Sequence, residues 1–258
     1  MKYPNFNEEK KLWKKGFNFV VGLDEAGRGP LAGPVAAAVV LIKSKTKNHL
    51  IPQNYADFVE HSRQNRNSER KRAVLKPKIF EGINDSKKLS EKQRNYFYRI
   101  LTNHENIKWG IGIVSEKVID KINILNATKL SMVKAIDNLV AKSKIQNPKF
   151  KNIDYLLIDG NFKIKSKIPQ KSIIKGDQKV MSIAMASIIA KVTRDRIMEK
   201  FHKKYPQYRF DKHKGYPTEL HVKMLKKFGD CPIHRKSFYP VSALQNKLPR
   251  RPTSGQQK

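Results

Sequence analysis

The chain is short of cysteine, of long apolar runs and of negative charge, and each shortage removes a class of protein. Cys231 stands alone among 258 residues, so no internal disulfide can form and a disulfide-stapled secreted scaffold is excluded. A single thiol in a chain this size fits a reducing compartment. The longest apolar run, Val35–Ile42, falls far below the roughly 20 residues of a membrane-spanning helix. The opening Met1-Lys2-Tyr3-Pro4, followed by Glu8-Glu9-Lys10-Lys11, holds no apolar signal core. These features together predict a cytoplasmic protein with no membrane partner.

Acidic residues number 22 against 54 Lys plus Arg, a formal charge of +32 and a pI near 10.2. Part of that excess only solubilises a surface. The rest calls for a polyanion to share the charge, and nucleic acid is the leading partner class. The mean hydropathy of -0.63 is low, yet hydrophobic residues make up 39% of the chain, enough for a folded core. The length suits one large domain, with its core over about 17–242.

Along the chain, 17–23 is β-rich and is expected to stop at Asp24-Glu25, before the turn-forming Gly27-Arg28-Gly29-Pro30. Val35–Ile42 reads as a second strand, antiparallel to the first. From 43 to 78 the sequence turns polar and basic without sustained periodicity, which predicts an inserted surface loop. Ser90 and Gln93 form a capping box, so a helix is expected over 91–102. Residues 107–114 read as a third strand. A short helix near Val118 and a longer one over 128–142 follow, the latter from the spacing of Leu130, Val133, Ile136, Leu139 and Val140.

Strands are next expected at 154–158, ending at Asp159-Gly160, and at 172–175, ending at Gly176-Asp177. A long helix begins just after, with Ser182, Ala184, Ala186 and Ser187 small enough for close packing on a sheet. Residues 211–216 read as a polar loop, and Thr218 as the cap of a helix ending at Phe228-Gly229. The composition of 245–258 predicts a disordered tail.

Three of the expected strands thus end in acids: Asp24-Glu25, Asp159 and Asp177. Taken singly, each reads as a cap or a loop start. If the strands are neighbours, four carboxylates converge at one end of the sheet, and clustered anions in so basic a chain point to hard divalent cations. All-oxygen ligation suits Mg2+ or Mn2+ rather than zinc. Two such ions about 4 Å apart activate a water and stabilise a leaving oxygen, the chemistry of phosphodiester hydrolysis. Adjacent strand residues face opposite ways, so Asp24 and Glu25 share a site only if the strand ends or twists there. Asp195 and Asp120, beside Lys or Arg in helical stretches, read as structural or surface ion-pair residues. A dinucleotide loop at Gly27-Arg28-Gly29 is disfavoured, since two carboxylates precede it and Pro30 and Pro34 interrupt the helix it needs.

The run from Gly22 to Val35, GLDEAGRGPLAGPV, resembles the signature opening of the ribonuclease HII family. Asn84-Asp85-Ser86-Lys87-Lys88-Leu89, Asp159-Gly160, Lys175-Gly176-Asp177 with Ser182-Ile183-Ala184 through Asp195, Lys214-Gly215-Tyr216-Pro217-Thr218 and His234-Arg235-Lys236-Ser237-Phe238 are similar to its later blocks, in order. The resemblance implies an RNase H-like α/β fold, a mixed five-stranded sheet flanked by helices with C-terminal helical elements. It implies Asp24, Glu25, Asp159 and Asp177 as catalytic metal ligands for Mg2+ or Mn2+, two ions acting during catalysis. It further implies cleavage 5′ to ribonucleotides in RNA–DNA hybrids and in duplex DNA with embedded ribonucleotides, leaving 3′-hydroxyl and 5′-phosphate ends, as in ribonucleotide excision repair.

By the same resemblance, Gly27, Arg28 and Gly29 read the 2′-hydroxyl, Tyr216 packs on the sugar of the following deoxynucleotide, and Lys87 lies near the backbone phosphates. The 43–78 insertion is longer than the family usually carries, and Met185 replaces a typically small residue. The sister ribonuclease HIII family usually adds an N-terminal substrate-binding domain and lacks the arginine of the turn. Rival readings are a non-catalytic nucleic-acid-binding protein, a different two-metal nuclease such as a Holliday-junction resolvase, and, more distantly, a dehydrogenase. A monomer is the default. Gln245-Asn246-Lys247-Leu248 shares part of a replication-clamp-binding pattern, but Pro249 and the missing aromatic favour a chance match.

Overall fold

The computed structural model describes residues 3–42, 80, 82–146 and 152–245. The basic insertion expected at 43–78 and all of the tail but Gln245 lie outside the described residues. Five strands form one mixed sheet in the order β3-β2-β1-β4-β5. Strand β1 is Val20–Ala26, β2 Val35–Ile42, β3 Ile107–Val114, β4 Tyr155–Asp159 and β5 Gln170–Ile173. The meander β1-β2-β3 is antiparallel, whereas β4 and β5 run parallel to β1. The α/β architecture expected from the sequence is therefore the one observed.

The period of two along the central strands decides what covers each face. Val21 and Leu23 of β1, with Ala37, Val39 and Leu41 of β2, pack on Met132, Ala135, Ile136 and Leu139 of helix α3, Glu116–Gln146. Ala38, Val40 and Ile42 turn the other way, onto Ala184, Met185, Ile188 and Ile189 of helix α4, Met181–Lys204. Because both faces are covered, β2 is apolar at every position and buried throughout. Met185, unusual in a helix of small residues, is fully buried among them.

Helix α2, Glu91–Asn103, starts on the expected capping box, with Ser90 Oγ accepting from the Gln93 amide and Gln93 Oε1 from the Ser90 amide. The two helices expected after β3 are both present within Glu116–Gln146, α3, divided at Asn123, whose φ of 64° is not helical. In β3 the expected alternation is present, but the glycines lie against α3. A Cβ on Gly112 would sit 1.9 Å from the Ser131 carbonyl oxygen, and one on Gly110 2.3 Å from that of Ala135. Small residues here serve close helix-on-strand approach, and Ile113 is left 40% exposed.

Three local expectations need correction. The first strand does not stop before Asp24-Glu25 but runs through both to Ala26. The fifth strand ends at Ile173, and Asp177 lies beyond it in a 3-10 turn over Gly176–Gln178. The polar loop expected at 211–216 begins as a short helix, α5, Phe210–His213. Its polar sequence hides apolar contacts, since Phe210 is fully buried. Helix α6, Glu219–Phe228, keeps its expected Thr218 cap and Gly229 stop, and α7, Val241–Gln245, follows.

An N-terminal helix, α1, Asn7–Lys14, has no counterpart in the sequence reading. Its Glu9 is buried, and Oε1 accepts from the Ser182 amide in the first turn of α4, whose own N-cap, Val180, offers no side-chain acceptor. A distant carboxylate thus caps that helix. Among the described residues no helix is long and apolar enough to cross a membrane.

The Gly112 contact is with backbone, which cannot swing aside as a side chain would. Gly112→Ala should therefore lower the stability measured by urea unfolding by at least about 2 kcal/mol.

Candidate active site

Strand β1 is hydrogen-bonded to β4 only as far as the pair Leu23↔Ile158. Beyond it the two strands no longer pair, while β1 stays paired to β2 through Asp24↔Ala38 and Glu25↔Ala37. The acids of β1 and Asp159 at the end of β4 therefore meet where the two strands stop pairing. Asp159 Oδ1 accepts from the Gly176 amide at 2.6 Å, which ties the 3-10 turn bearing Asp177 to the same place.

All four carboxyls are held above the ordinary range. Burial is the largest cause for Asp24, followed by the charges of Glu25 and Asp159, and a hydrogen bond from Ser187 works the other way. Burial raises Glu25 to about 7, against the pull of Arg28, whose Nη1 lies 3.5 Å from Oε1. Burial raises Asp177 to about 6, with Asp159 and Asp85 adding to it. Asp159 is raised by burial despite amide hydrogen bonds from Gly176 and Asp177. Lys87 lies at the surface, and its partial loss of hydration is outweighed by Asp85, Asp177 and Asp24, which hold it above the usual lysine value.

The residue types fit a hard cation. Every acid contributes oxygen, and Glu25 Oε2 is buried with no hydrogen-bond partner, an orphaned acceptor facing no donor. Among the described residues no three acidic, histidine or cysteine side chains form a ready-made cage.

The other expected residues surround this cluster. Gly27 has φ +100°, and a Cβ there would fall 2.1 Å from Arg194 Nε, so glycine is required on both counts. Gly29 lies beside Tyr216, its nearest neighbour outside the turn. Lys191 and Arg194 stand 5.9 and 5.8 Å from the Tyr216 ring centroid. Tyr216 is fixed from behind by three histidines. His234 Nδ1 accepts from the Cys231 amide, so its Nε2–H donates to His221 Nε2, and His221 Nδ1–H donates to the Tyr216 carbonyl. His213 stacks on His221 with ring centroids 4.3 Å apart. Burial lowers His221 and His234 to about 4, so this network is neutral at physiological pH.

Several residues of the site escaped the sequence reading. Ser187 was assigned only to close packing, yet it hydrogen-bonds Asp24 and stands 2.8 Å from Ser86 Oγ. Asp85 is a further buried acid beside the four, with Oδ2 accepting from Gln178 and Oδ1 from the Lys87 amide. Phe162 packs over Gly160, with Arg28 and Lys129 within 6 Å of its ring. Of the two acids set aside, Asp195 pairs with Lys191 as expected, at 2.6 Å. Asp120 is structural by a different route, accepting from the amides of Lys236 and Ser237 and from the Ser237 hydroxyl.

Comparison with known proteins points one way. A family model described as Ribonuclease HII matches residues 21–81 and 68–241. A Ribonuclease HII of Chlamydia caviae is 44% identical over 233 residues, covering 90% of this chain and 90% of that one. The crystal structure of the ribonuclease H2 from Pyrococcus horikoshii OT3 is similar at a TM-score of 0.59 and 25% identity, covering 89% of this chain and 98% of that one. A structure titled Bst-RNase HIII in complex with Mn2+ shares the fold at a TM-score of 0.56 and 15% identity, covering 91% and 71%.

A carboxyl whose folded pKa lies above its unfolded one stabilises the fold while protonated, and loses that contribution as pH rises through the folded value. In chelator, Asp24→Asn should therefore melt near the wild-type temperature at pH 5. It should melt above it at pH 8, by about 2–4 °C for each kcal/mol of relieved repulsion. A variant that melts below the wild type at pH 8 would contradict the electrostatic account of Asp24.

Proposed function

The chain belongs to the ribonuclease HII family, and from that premise we propose that this endoribonuclease cuts 5′ to ribonucleotides, both in RNA–DNA hybrids and where a ribonucleotide is embedded in duplex DNA. The products are 3′-hydroxyl and 5′-phosphate ends. The observation that carries the reading is the meeting of four desolvated carboxylates beside a glycine-arginine-glycine turn and Tyr216.

Asp24, Glu25, Asp159 and Asp177 would hold Mg2+ or Mn2+, two ions during turnover, and when bound these supply an activated water and stabilise the departing oxygen. The chain's own residues do the rest. Ser187 fixes one oxygen of Asp24. The Gly176 amide fixes one oxygen of Asp159 and so sets the distance between the β4 end and the Asp177 turn. Lys87, drawn toward Asp177 and Asp24, offers a cation to the phosphate next to the scissile bond. The turn at Gly27, Arg28 and Gly29 brings backbone within reach of a 2′-hydroxyl, which a Cβ would obstruct. The Tyr216 ring, held from behind by the neutral histidines, gives a flat apolar surface to the sugar that follows.

The basic composition supplies affinity without sequence choice, since Lys and Arg neutralise phosphates and release counterions. Work on DNA, one buried cysteine and the absence of any membrane-spanning helix among the described residues suit the cytoplasm. Of the clamp-like segment at 245–248, only Gln245 lies within the described residues.

The direct test is a DNA duplex carrying one ribonucleotide beside an all-DNA control, in magnesium, manganese and chelator. Metal-dependent nicking 5′ to the ribonucleotide alone is expected. Nicking of both duplexes would favour a general two-metal nuclease, and binding without nicking a non-catalytic protein. Tyr216→Ala should slow cutting at a single embedded ribonucleotide by roughly tenfold or more, a loss of about 1.4 kcal/mol in the transition state. It should slow cutting of long hybrids less, and equal losses would contradict a role in reading the junction.

A further inference from the structure

Two arginines are wholly buried behind the glycine-arginine-glycine turn, and each donates three hydrogen bonds to backbone carbonyls. Arg235 donates from Nε to Gly33, from Nη1 to Arg28 and from Nη2 to Gly27, at 3.0, 3.0 and 2.6 Å. Arg194 donates from Nε to Pro34, from Nη1 to Lys214 and from Nη2 to Ala32, at 2.9, 2.9 and 3.1 Å. Both side chains are 0% exposed, and among the described residues no carboxylate pairs with either. Desolvated cations without acid partners are expensive to keep, so a purely structural turn would be served better by neutral donors. Burial, and then the neighbouring Arg194, draw Arg235 down to about 9.

The bonds are placed so as to orient the turn. A trans peptide is planar, with each carbonyl opposite the N–H of the following residue. By holding the carbonyls of Gly27 and Arg28 inward, Arg235 turns the amides of Arg28 and Gly29 to the opposite, outer side of the turn. Arg194 joins that turn, through Ala32 and Pro34, to Lys214, two residues before Tyr216. Backbone bonds reinforce the frame: the Leu31 amide donates to Gly215, the Arg235 amide to Leu31 and the Gly33 amide to Ile233, each at 2.8 Å.

We propose that Arg235, with Arg194 as its companion, is a positioning residue for ribose discrimination, acting through the carbonyls of Gly27 and Arg28 to aim the Arg28 and Gly29 amides at the 2′-hydroxyl. The inference rests on the ribonucleotide-cutting reading above and adds the side chains that make the turn selective. Neither arginine touches the substrate in this account. Their effect is on the choice between ribose and deoxyribose, more than on general affinity for a duplex.

The test uses the full chain and duplexes with and without one ribonucleotide, with calcium replacing the catalytic metal so that binding is read apart from cutting. Wild type is expected to bind the ribonucleotide duplex more tightly. Arg235→Lys keeps the charge but loses the three-way fork, and should lower that preference by at least about tenfold, because small misplacement of a recognition group is costly. Its affinity for the all-DNA duplex should change by less than about threefold, since phosphate contacts carry that binding. An undiminished preference in a folded Arg235→Lys would overturn the inference while leaving the ribonucleotide reading intact. No preference in the wild type would overturn that reading and the inference with it.

If Arg235→Lys does not fold, Asp120→Ala decides the matter. Asp120 lies toward the surface and anchors the amides of Lys236 and Ser237 next to Arg235. A reduced ribonucleotide preference supports the proposal, and an unchanged one overturns it.

Discussion

Repulsion among four carboxylates, two buried and two partly buried, is the interaction around which the rest of this structure is arranged. Each of Asp24, Glu25, Asp159 and Asp177 would be more comfortable in water, and each raises the cost of ionising its neighbours. A fold holds such a cluster only if stronger constraints fix the backbone beneath it. Here β1 is clamped between β2 and β4, and α4 packs directly on it. A Cβ on Gly22 would lie 2.3 Å from the Ser182 carbonyl carbon, a measure of how closely that helix approaches. The apolar sandwich is thus the source of the stability that the active site draws down.

The supports around the site divide by charge. Behind the carboxylates stand neutral groups, the Ser86–Ser187 pair and the backbone amide of Gly176. Behind the glycine-arginine-glycine turn stand two guanidiniums bonded to backbone carbonyls. Behind Tyr216 stand three histidines kept neutral by burial. On the proposed reading, a nucleic acid would meet these acids only where a divalent ion can intervene, the charge of +32 would serve capture, and the buried groups would serve selection and chemistry.

Much of this was legible in the sequence. Val35–Ile42 and Ile107–Val114 emerge with their observed bounds because strand periodicity and flanking turns agree there. The capping box at Ser90 and Gln93 is a local signal, so tertiary structure had nothing to override. The four acids stand out in the sequence because Asp24-Glu25 and Asp159 close apolar runs and Asp177 lies just past a short strand, each beside a glycine-bearing turn. What was illegible depends on partners far along the chain. The end of β1 is set by its pairing with β2, which carries it past Asp24 and Glu25. Asp177 reaches the site through a turn whose shape depends on Asp159, 18 residues earlier by number, accepting from Gly176. Glu9 looks like any acid in a charged opening until α1 brings it to the start of α4. Arg194 and Arg235 look like two more cations in a basic chain, since burial without an acid partner leaves no local trace.

The central claim is that the carboxylates remain partly protonated until a divalent ion joins them. Calorimetric titration of Mn2+ into chelator-stripped protein, run in buffers of different ionisation enthalpy, counts the protons released as the ion binds. With Glu25 at about 7 and Asp177 at about 6, the account predicts clear proton release at pH 6.5 that fades by pH 8.5. Binding with no proton release at pH 6.5, or no binding at either pH, would contradict it.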